Sequence, residues 1–283
     1  MFVTGLCFLG VTVTVRYVGT DLPAAQAAFL RYVIGTLLLL PAFIRLARGD
    51  LVICQPGVMV FRGVAHGIGV ILWFYAMARI PIAEVTALGY LTPVVVTVAA
   101  AIFLGETLHA RRLIAVLAGF AGVMIIIRPG LQEISIGQLA QLATAPMFAM
   151  SMLLAKKLTT SNEPIAIVAV LSLVCTLTLL PPAVLLWVAP GMGDLVLLGV
   201  TAVLATVGHY TMTLAFSYAP LSALQPISFL QLIWATVAGY LLFAEPVDTY
   251  VVLGGIIIVA SASYIAHREA KLGRQTTPAV QAD

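Results

Sequence analysis

The sequence predicts an all-α membrane protein of ten transmembrane helices, arranged as two inverted five-helix repeats. Three observations carry that prediction: the share of apolar residues, the length of the runs they form, and an internal duplication. Hydrophobic residues make up 62% of the 283 residues and charged residues 9%, with a mean hydropathy of +1.11. A soluble domain carries roughly 25% charged residues, so this chain cannot cover itself with water-compatible surface. A hydrocarbon core of about 30 Å takes roughly 20 apolar residues to cross as a helix. Backbone amides in lipid must be satisfied within the spanning structure, which leaves helices or a closed barrel. The apolar runs here are too long for barrel strands, which alternate over about ten residues.

The duplication is read from Trp73 to Gly130. Laid forward on the chain without a gap, Ala76 meets Ala215, Pro81 meets Pro220 and Leu91 meets Leu230. Thr97-Val98-Ala99 meets Thr236-Val237-Ala238, Glu106 meets Glu245 and Ile126 meets Ile265. Self-similarity of that extent marks a repeat architecture. The expected division is a first repeat over 1–130, a second over 131–268 and a polar cytoplasmic tail over 269–283.

The apolar runs fall at 2–19, 24–44, 56–78, 81–104, 108–127, 136–157, 164–188, 195–216, 220–243 and 248–267. In the first, Arg16 limits the unbroken apolar part to Phe2 through Val15. Either Arg16 snorkels to the interface or the true start lies upstream. The N-terminus lacks the basic region and cleavage site of a signal peptide, so it reads as a retained helix. The second run places Arg31 seven residues in from Ala24, about 10 Å below the membrane edge at 1.5 Å per residue. Glu84 opens the fourth run, three residues past Pro81, and the two charges are candidates for a pair. That pair is either structural or a clamp or protonation site at an outer gate, because ionisable groups within spans are functional suspects.

In the third run Arg62, His66, Gly69 and Trp73 share one helical face. A basic, aromatic face suits a water-filled cavity better than lipid, although Arg62 also has the option of snorkelling and His66 that of plain packing. The fourth run carries Thr86, Tyr90, Pro93 and Thr97 at helical spacing, where a proline removes an amide donor and bends the helix. The fifth holds Ala115, Gly119 and Gly122, and the tenth holds Gly254 and Gly255; small residues let membrane helices approach closely. Pro181-Pro182 is expected to kink the seventh run. The eighth supplies His209 and Tyr210, and the ninth supplies Ser222, Gln225, Ser228, Gln231 and Trp234. Thr86 falls on Gln225 in the duplication, and polar residues in matching places are where an inverted repeat builds its midplane site. The rival reading is hydrogen bonding between helices. Glu106 and Glu245, at helix ends, are expected to cap the helices that follow them.

Orientation follows from the basic residues, whose excess marks the cytoplasmic side. Arg45, Arg48, Arg111, Arg112, Lys156, Lys157, Arg268, Lys271 and Arg274 fall on one side of ten spans and outnumber Arg16, Arg79 and Arg128 on the other. Both termini are therefore expected in the cytoplasm. Five spans per copy is an odd number, so the second copy enters upside down.

The motifs resemble a known family. Phe29-Leu30-Arg31, Tyr75-Ala76, Ile80-Pro81, Ala83-Glu84-Val85-Thr86-Ala87, Pro93, Leu104-Gly105-Glu106, the glycine run from Gly119 to Val123, and Arg128-Pro129-Gly130 are similar to a first EamA repeat of the drug/metabolite transporter superfamily. Ala215, Pro220, Pro226, Gln231 through Ala235, Gly239 and Glu245 resemble the second. The resemblance implies a secondary transporter with a central cavity walled mainly by helices 3, 4, 8 and 9.

The expected activity is movement of a small organic metabolite across the cytoplasmic (inner) membrane by alternating access. Arg62, His66, Trp73, Thr86, Tyr90, His209, Tyr210, Gln225, Gln231 and Trp234 are the candidate substrate contacts, with Arg31 and Glu84 candidates for gating or coupling. Two arginines, aromatics and amides with one acid suggest an anionic group on a flat or apolar body. Amino-acid-like, nucleoside- or flavin-like metabolites and organic anions qualify, and Glu84 or His66 is a candidate for proton coupling. A Walker phosphate loop is absent, so ATP hydrolysis is not expected. The runs show no hydrolase or zincin motif, which disfavours an intramembrane enzyme, and no charged rings or carbonyl filter of a channel. The expected partners are the substrate, the lipid bilayer and, as an option, a second copy in a homodimer. Scattered lysines and arginines exclude nucleic acid. Cys7, Cys54 and Cys175 are too far apart for a disulfide frame or metal site, so no cofactor is expected.

Overall fold

The computed structural model describes residues 1–95, 98, 110–219 and 221–276, without the side chains of 110–112, 221–223, 225, 226 and 269–276. Glu106, His109 and Thr97 therefore lie outside the described residues, as do the side chains of Arg111, Arg112, Ser222, Gln225 and Pro226. The helices are α1 (Phe2–Val18), α2 (Ala24–Leu38), α3 (Leu40–Ala47), α4 (Pro56–Met77), α5 (Ile82–Gly89), α6 (Ala110–Ile127), α7 (Ile136–Leu158), α8 (Pro164–Leu185), α9 (Met192–Tyr218), α10 (Leu221–Phe243) and α11 (Thr249–Thr276). Of these, α4, α7, α8, α9 and most of α11 are long and apolar enough to cross a bilayer, and α1, α5 with its continuation to Val95, α6 and α10 supply shorter apolar helices.

Two spans depart from single rods, and proline explains both. The run expected over 24–44 is a bent pair, with α2 and α3 meeting at 54°. Pro41 sits in the first turn of α3, where its missing amide does no harm and its ring prevents continuation of the helix before it. In the fourth run α5 ends at Tyr90 and a second piece follows to Val95. Pro93 has no amide to give Gly89, and the Thr92 hydroxyl donates to that carbonyl instead, at 2.9 Å. By contrast, α8 runs from Pro164 to Leu185 through Pro181 and Pro182.

Packing follows the duplication. Helix α4 lies against α7, and their counterparts α9 and α1 lie against each other; α4 also meets α8, as α9 meets α2. Across the pseudo-axis α6 packs on α11 and α2 on α8. The α6–α11 seam is close: a Cβ on Gly122 would stand 2.7 Å from the Gly254 carbonyl oxygen, and one on Gly254 2.5 Å from that of Gly122. The Ser261 hydroxyl donates to the Ala115 carbonyl in the same seam. Leu177, Val184 and Leu185 on α8, with Ile233, Val237 and Leu241 on α10, stay exposed; such apolar surface suits lipid.

The links collect at two ends. At one, Arg45 pairs with Glu163 at 3.6 Å and the Cys54 amide donates to Asn162 Oδ1 at 2.7 Å. At the other, Gln26 bonds Val188 in both directions, at 2.6 and 2.9 Å, Arg128 meets Asp248 at 2.5 Å and Arg16 meets Glu245 at 3.0 Å. Glu245 does not cap its own following helix. Its Oε2 accepts from the Ile82 amide at 2.9 Å, capping α5 of the other copy, and Asp248 accepts from Tyr250 at the start of α11, at 2.8 Å.

Candidate functional site: a central cavity

Between the copies lies a cavity of about 230 Å³. Helix α4 presents Arg62, His66, Val70 and Trp73 to it because these residues recur every three or four positions along one face. The broken span supplies Thr86, Tyr90 and Pro93, α9 supplies His209, and α10 supplies Ser228 and Gln231. Arg31 of α2 also reaches it.

Eight of the sequence-derived candidates thus come together: Arg31, Arg62, His66, Trp73, Thr86, Tyr90, His209 and Gln231. Two do not. Tyr210 and Trp234 do not line the cavity and are 38% and 44% exposed. Tyr210 follows His209 directly, and one residue turns a helix by about 100°, so the pair cannot share a face. Gln225 belongs to the side chains outside the description.

Arg31 and Glu84 do not pair, which corrects the expectation of an ion pair between them, structural or gating. Glu84 Oε1 accepts from Gln138 Nε2 at 2.6 Å and borders a separate, smaller crevice. Gln138 is fixed for that purpose by a reciprocal capping box with Ser135 at the start of α7. The Arg31 guanidinium instead lies 3.7 Å from the centre of the Tyr32 ring, facing the cavity.

The walls expected from α4, α5, α9 and α10 are incomplete, because α1 contributes Thr4, Phe8 and Thr12 and α7 contributes Gln141, Phe148, Ser151 and Met152. A signal was present. One residue out of the frame that matches the later helices, Thr4 falls on Thr144, Phe8 on Phe148 and Arg16 on Lys156.

The polar and aromatic groups interlock. Arg62, 2% exposed, donates from Nε to the Ser151 carbonyl at 3.1 Å, and the Ser151 hydroxyl lies 3.0 Å from His66 Nδ1. The His66 and His209 rings meet edge to face, centroids 5.0 Å apart. Each carries a phenylalanine from the opposite copy's first helix: Phe148 at 5.1 Å from His66 and Phe8 at 5.1 Å from His209. Trp73 closes the group, 5.9 Å from Phe148 and 6.4 Å from Phe8. Tyr90 donates to the Ser228 carbonyl at 2.9 Å and so joins the broken span to α10.

Several buried polar atoms of the lining have no protein partner: Arg31 Nε, His66 Nε2, His209 Nδ1 and Gln141 Oε1. Buried polar groups are nearly always satisfied, because each orphan costs roughly 1–3 kcal/mol. Their concentration at one cavity marks a place kept for binding. The lining includes two guanidiniums and no carboxylate among the described residues, so low-dielectric walls focus positive potential inward. Among the described residues no three His, Cys, Asp or Glu side chains gather to hold a metal.

Inverted copies enclosing a polar-studded cavity among lipid-facing helices define a membrane transporter rather than an enzyme. The chain belongs to the EamA-like transporter family, which matches residues 1–128 and 135–266; the family sits within the drug/metabolite transporter superfamily. The riboflavin transporter of Vibrio cholerae is 30% identical over 97% of this chain and 94% of its own. The S-adenosylmethionine uptake transporter of Rickettsia bellii is 26% identical over 90% and 88%, and the pseudopaline exporter of Pseudomonas aeruginosa 27% over 87% of each. A solved crystal structure superposes with a TM-score of 0.65 at 19% identity, over 98% of both chains, a likeness that concerns the fold alone.

Proposed function

We propose that this small-molecule transporter works by alternating access on organic solutes that join a flat, apolar body to an anionic group. The observation that carries this is the pair of buried guanidiniums, Arg31 and Arg62, with no carboxylate beside them among the described residues of an aromatic-walled cavity. A guanidinium held out of water needs an anion, and a planar fork suits carboxylate or phosphate. Phe8, Trp73 and Phe148 offer ring faces and edges to a flat body. Similarity to a riboflavin transporter agrees with such a body. The relatives include both uptake and export proteins, so membership of the family does not fix the direction.

The end carrying Arg45, Lys156 and Lys157 faces the cytoplasm in this reading, together with both termini. At the opposite end Arg16 and Arg128 pair with Glu245 and Asp248, and the smaller number of basic residues there agrees with the positive-inside contrast. A cysteine replacing Lys157 is expected to react with impermeant maleimide only from the cytoplasmic face, and reaction from outside would reverse the orientation.

Exchange in proteoliposomes tests the substrate class. Vesicles loaded with unlabelled riboflavin, an aromatic carboxylate or an aromatic amine are offered the labelled compound outside. Trans-stimulated uptake is expected for the carboxylate, with the flavin next and the amine excluded. Exchange confined to the amine would overturn the charge argument. Flux without trans-stimulation would overturn alternating access.

A further inference from the structure

Arg16, left between snorkelling and a misplaced start by the sequence, has a definite structural place. Its NH2 lies 3.0 Å from Glu245 Oε1, and NH1 donates to the Met77 carbonyl at 3.4 Å, at the end of α4. Glu245 Oε2 takes the Ile82 amide at 2.9 Å, and its own amide donates to Gly239 at 3.1 Å. One ion pair thus joins the end of α1, the end of α4, the start of α5 and the turn between α10 and α11.

Its position relative to the cavity is the telling feature. One helical turn inward from Arg16, Met77 and Ile82 stand Thr12, Phe74 and Thr86, and all three line the cavity. The tie is therefore the next layer beyond the cavity on three separate helices. It is well sheltered, the two side chains being 21% and 10% exposed.

The second copy repeats the construction at the other end. Lys156, the counterpart of Arg16, donates to the carbonyls of Phe216 and, at 3.0 Å, Ala219. In the duplication Phe216 is the counterpart of Met77. In each copy a cation in the last turn of the first helix grips the end of the third.

We propose that Arg16 and Glu245 form the gate across the Arg128 end of the cavity, closed in this structure and parted when the cavity opens to that side. This rests on the alternating-access reading above. An ion pair suits the task because it is strong while sheltered and loses little when both charges return to water, which keeps the two states close in free energy. Four elements released by one separation also give an all-or-none opening.

The test uses the full chain with Cys7, Cys54 and Cys175 replaced by serine and a reporter cysteine at Thr12. Impermeant maleimide is applied from each face in turn. Arg16→Gln removes the charge; Glu245→Gln keeps an oxygen for the Ile82 amide; Arg16→Lys copies the cation of the other copy. Both Gln variants are expected to raise labelling from the Arg128 face about tenfold, the shift produced by one decade in the open–closed equilibrium, and to slow exchange. Arg16→Lys is expected to restore both. Unchanged labelling in the Gln variants overturns the gate, whether exchange is normal or lost through misfolding. If the parent protein itself shows no counterflow, it is alternating access that fails, and the two failures are told apart.

Discussion

Arg31→Met is expected to abolish exchange of an anionic substrate while raising the thermal stability of the substrate-free protein. The two effects have one cause. Arg31 is 5% exposed, has no carboxylate partner among the described residues, and leaves Nε without a hydrogen bond; its evident support is the Tyr32 ring beneath it. Replacing a buried ionic group by an apolar one of similar volume is often stabilising, by about 1–4 kcal/mol. The same charge meeting a substrate anion in a dry cavity is worth about 2–5 kcal/mol, so its loss lowers exchange by roughly thirty- to several-thousandfold. Thermal unfolding in detergent and exchange in proteoliposomes check the two halves. A variant less stable than its parent yet active would show that Arg31 is a structural group and not a binding one. Arg31→Lys, which keeps the charge and loses the planar fork, is expected to fall between.

Gly254→Leu is expected to prevent accumulation of folded protein. A Cβ at Gly254 would approach the Gly122 carbonyl oxygen to 2.5 Å and the Ile126 side chain to 2.6 Å. The first obstacle is backbone and cannot rotate away, so α6 and α11 must part along the seam that joins the copies. Overpacking typically costs about 1–3 kcal/mol and more where backbone must move. Gly199→Leu is the control, because a Cβ there meets nothing within 4 Å. Size-exclusion chromatography of the solubilised proteins separates the cases: a monodisperse Gly254→Leu peak at parental yield would mean that the seam is not a stability determinant.

Much of this was legible in the sequence for physical reasons. Lipid permits few spanning structures, so apolar runs give the helices, and a duplication with an odd number of spans gives the inversion. Residues of one face, such as Arg62, His66 and Trp73, were found because helical periodicity is strict. What escaped was interhelical geometry. Tyr210 and Trp234 were chosen for their chemistry, and only the rotation of their helices sets them outside the cavity. Arg31 and Glu84 were paired by depth and opposite sign, but depth does not report azimuth, and Glu84 found an amide where an arginine was expected. Phe8 and Phe148 were missed because the repeat shifts by one residue between α1 and the later helices.

The capping of α5 has a consequence for biogenesis. The amide that opens this helix is satisfied by a carboxylate 163 residues later in the chain, and Arg128 waits for Asp248 across 120 residues. As the ribosome delivers the first copy to the membrane, its helices insert with these groups unanswered. Closure comes only with the last hairpin, after which both halves lock together. A chain interrupted before that point leaves the Ile82 amide uncapped and Arg16 and Arg128 without their carboxylates, all at one end of the molecule.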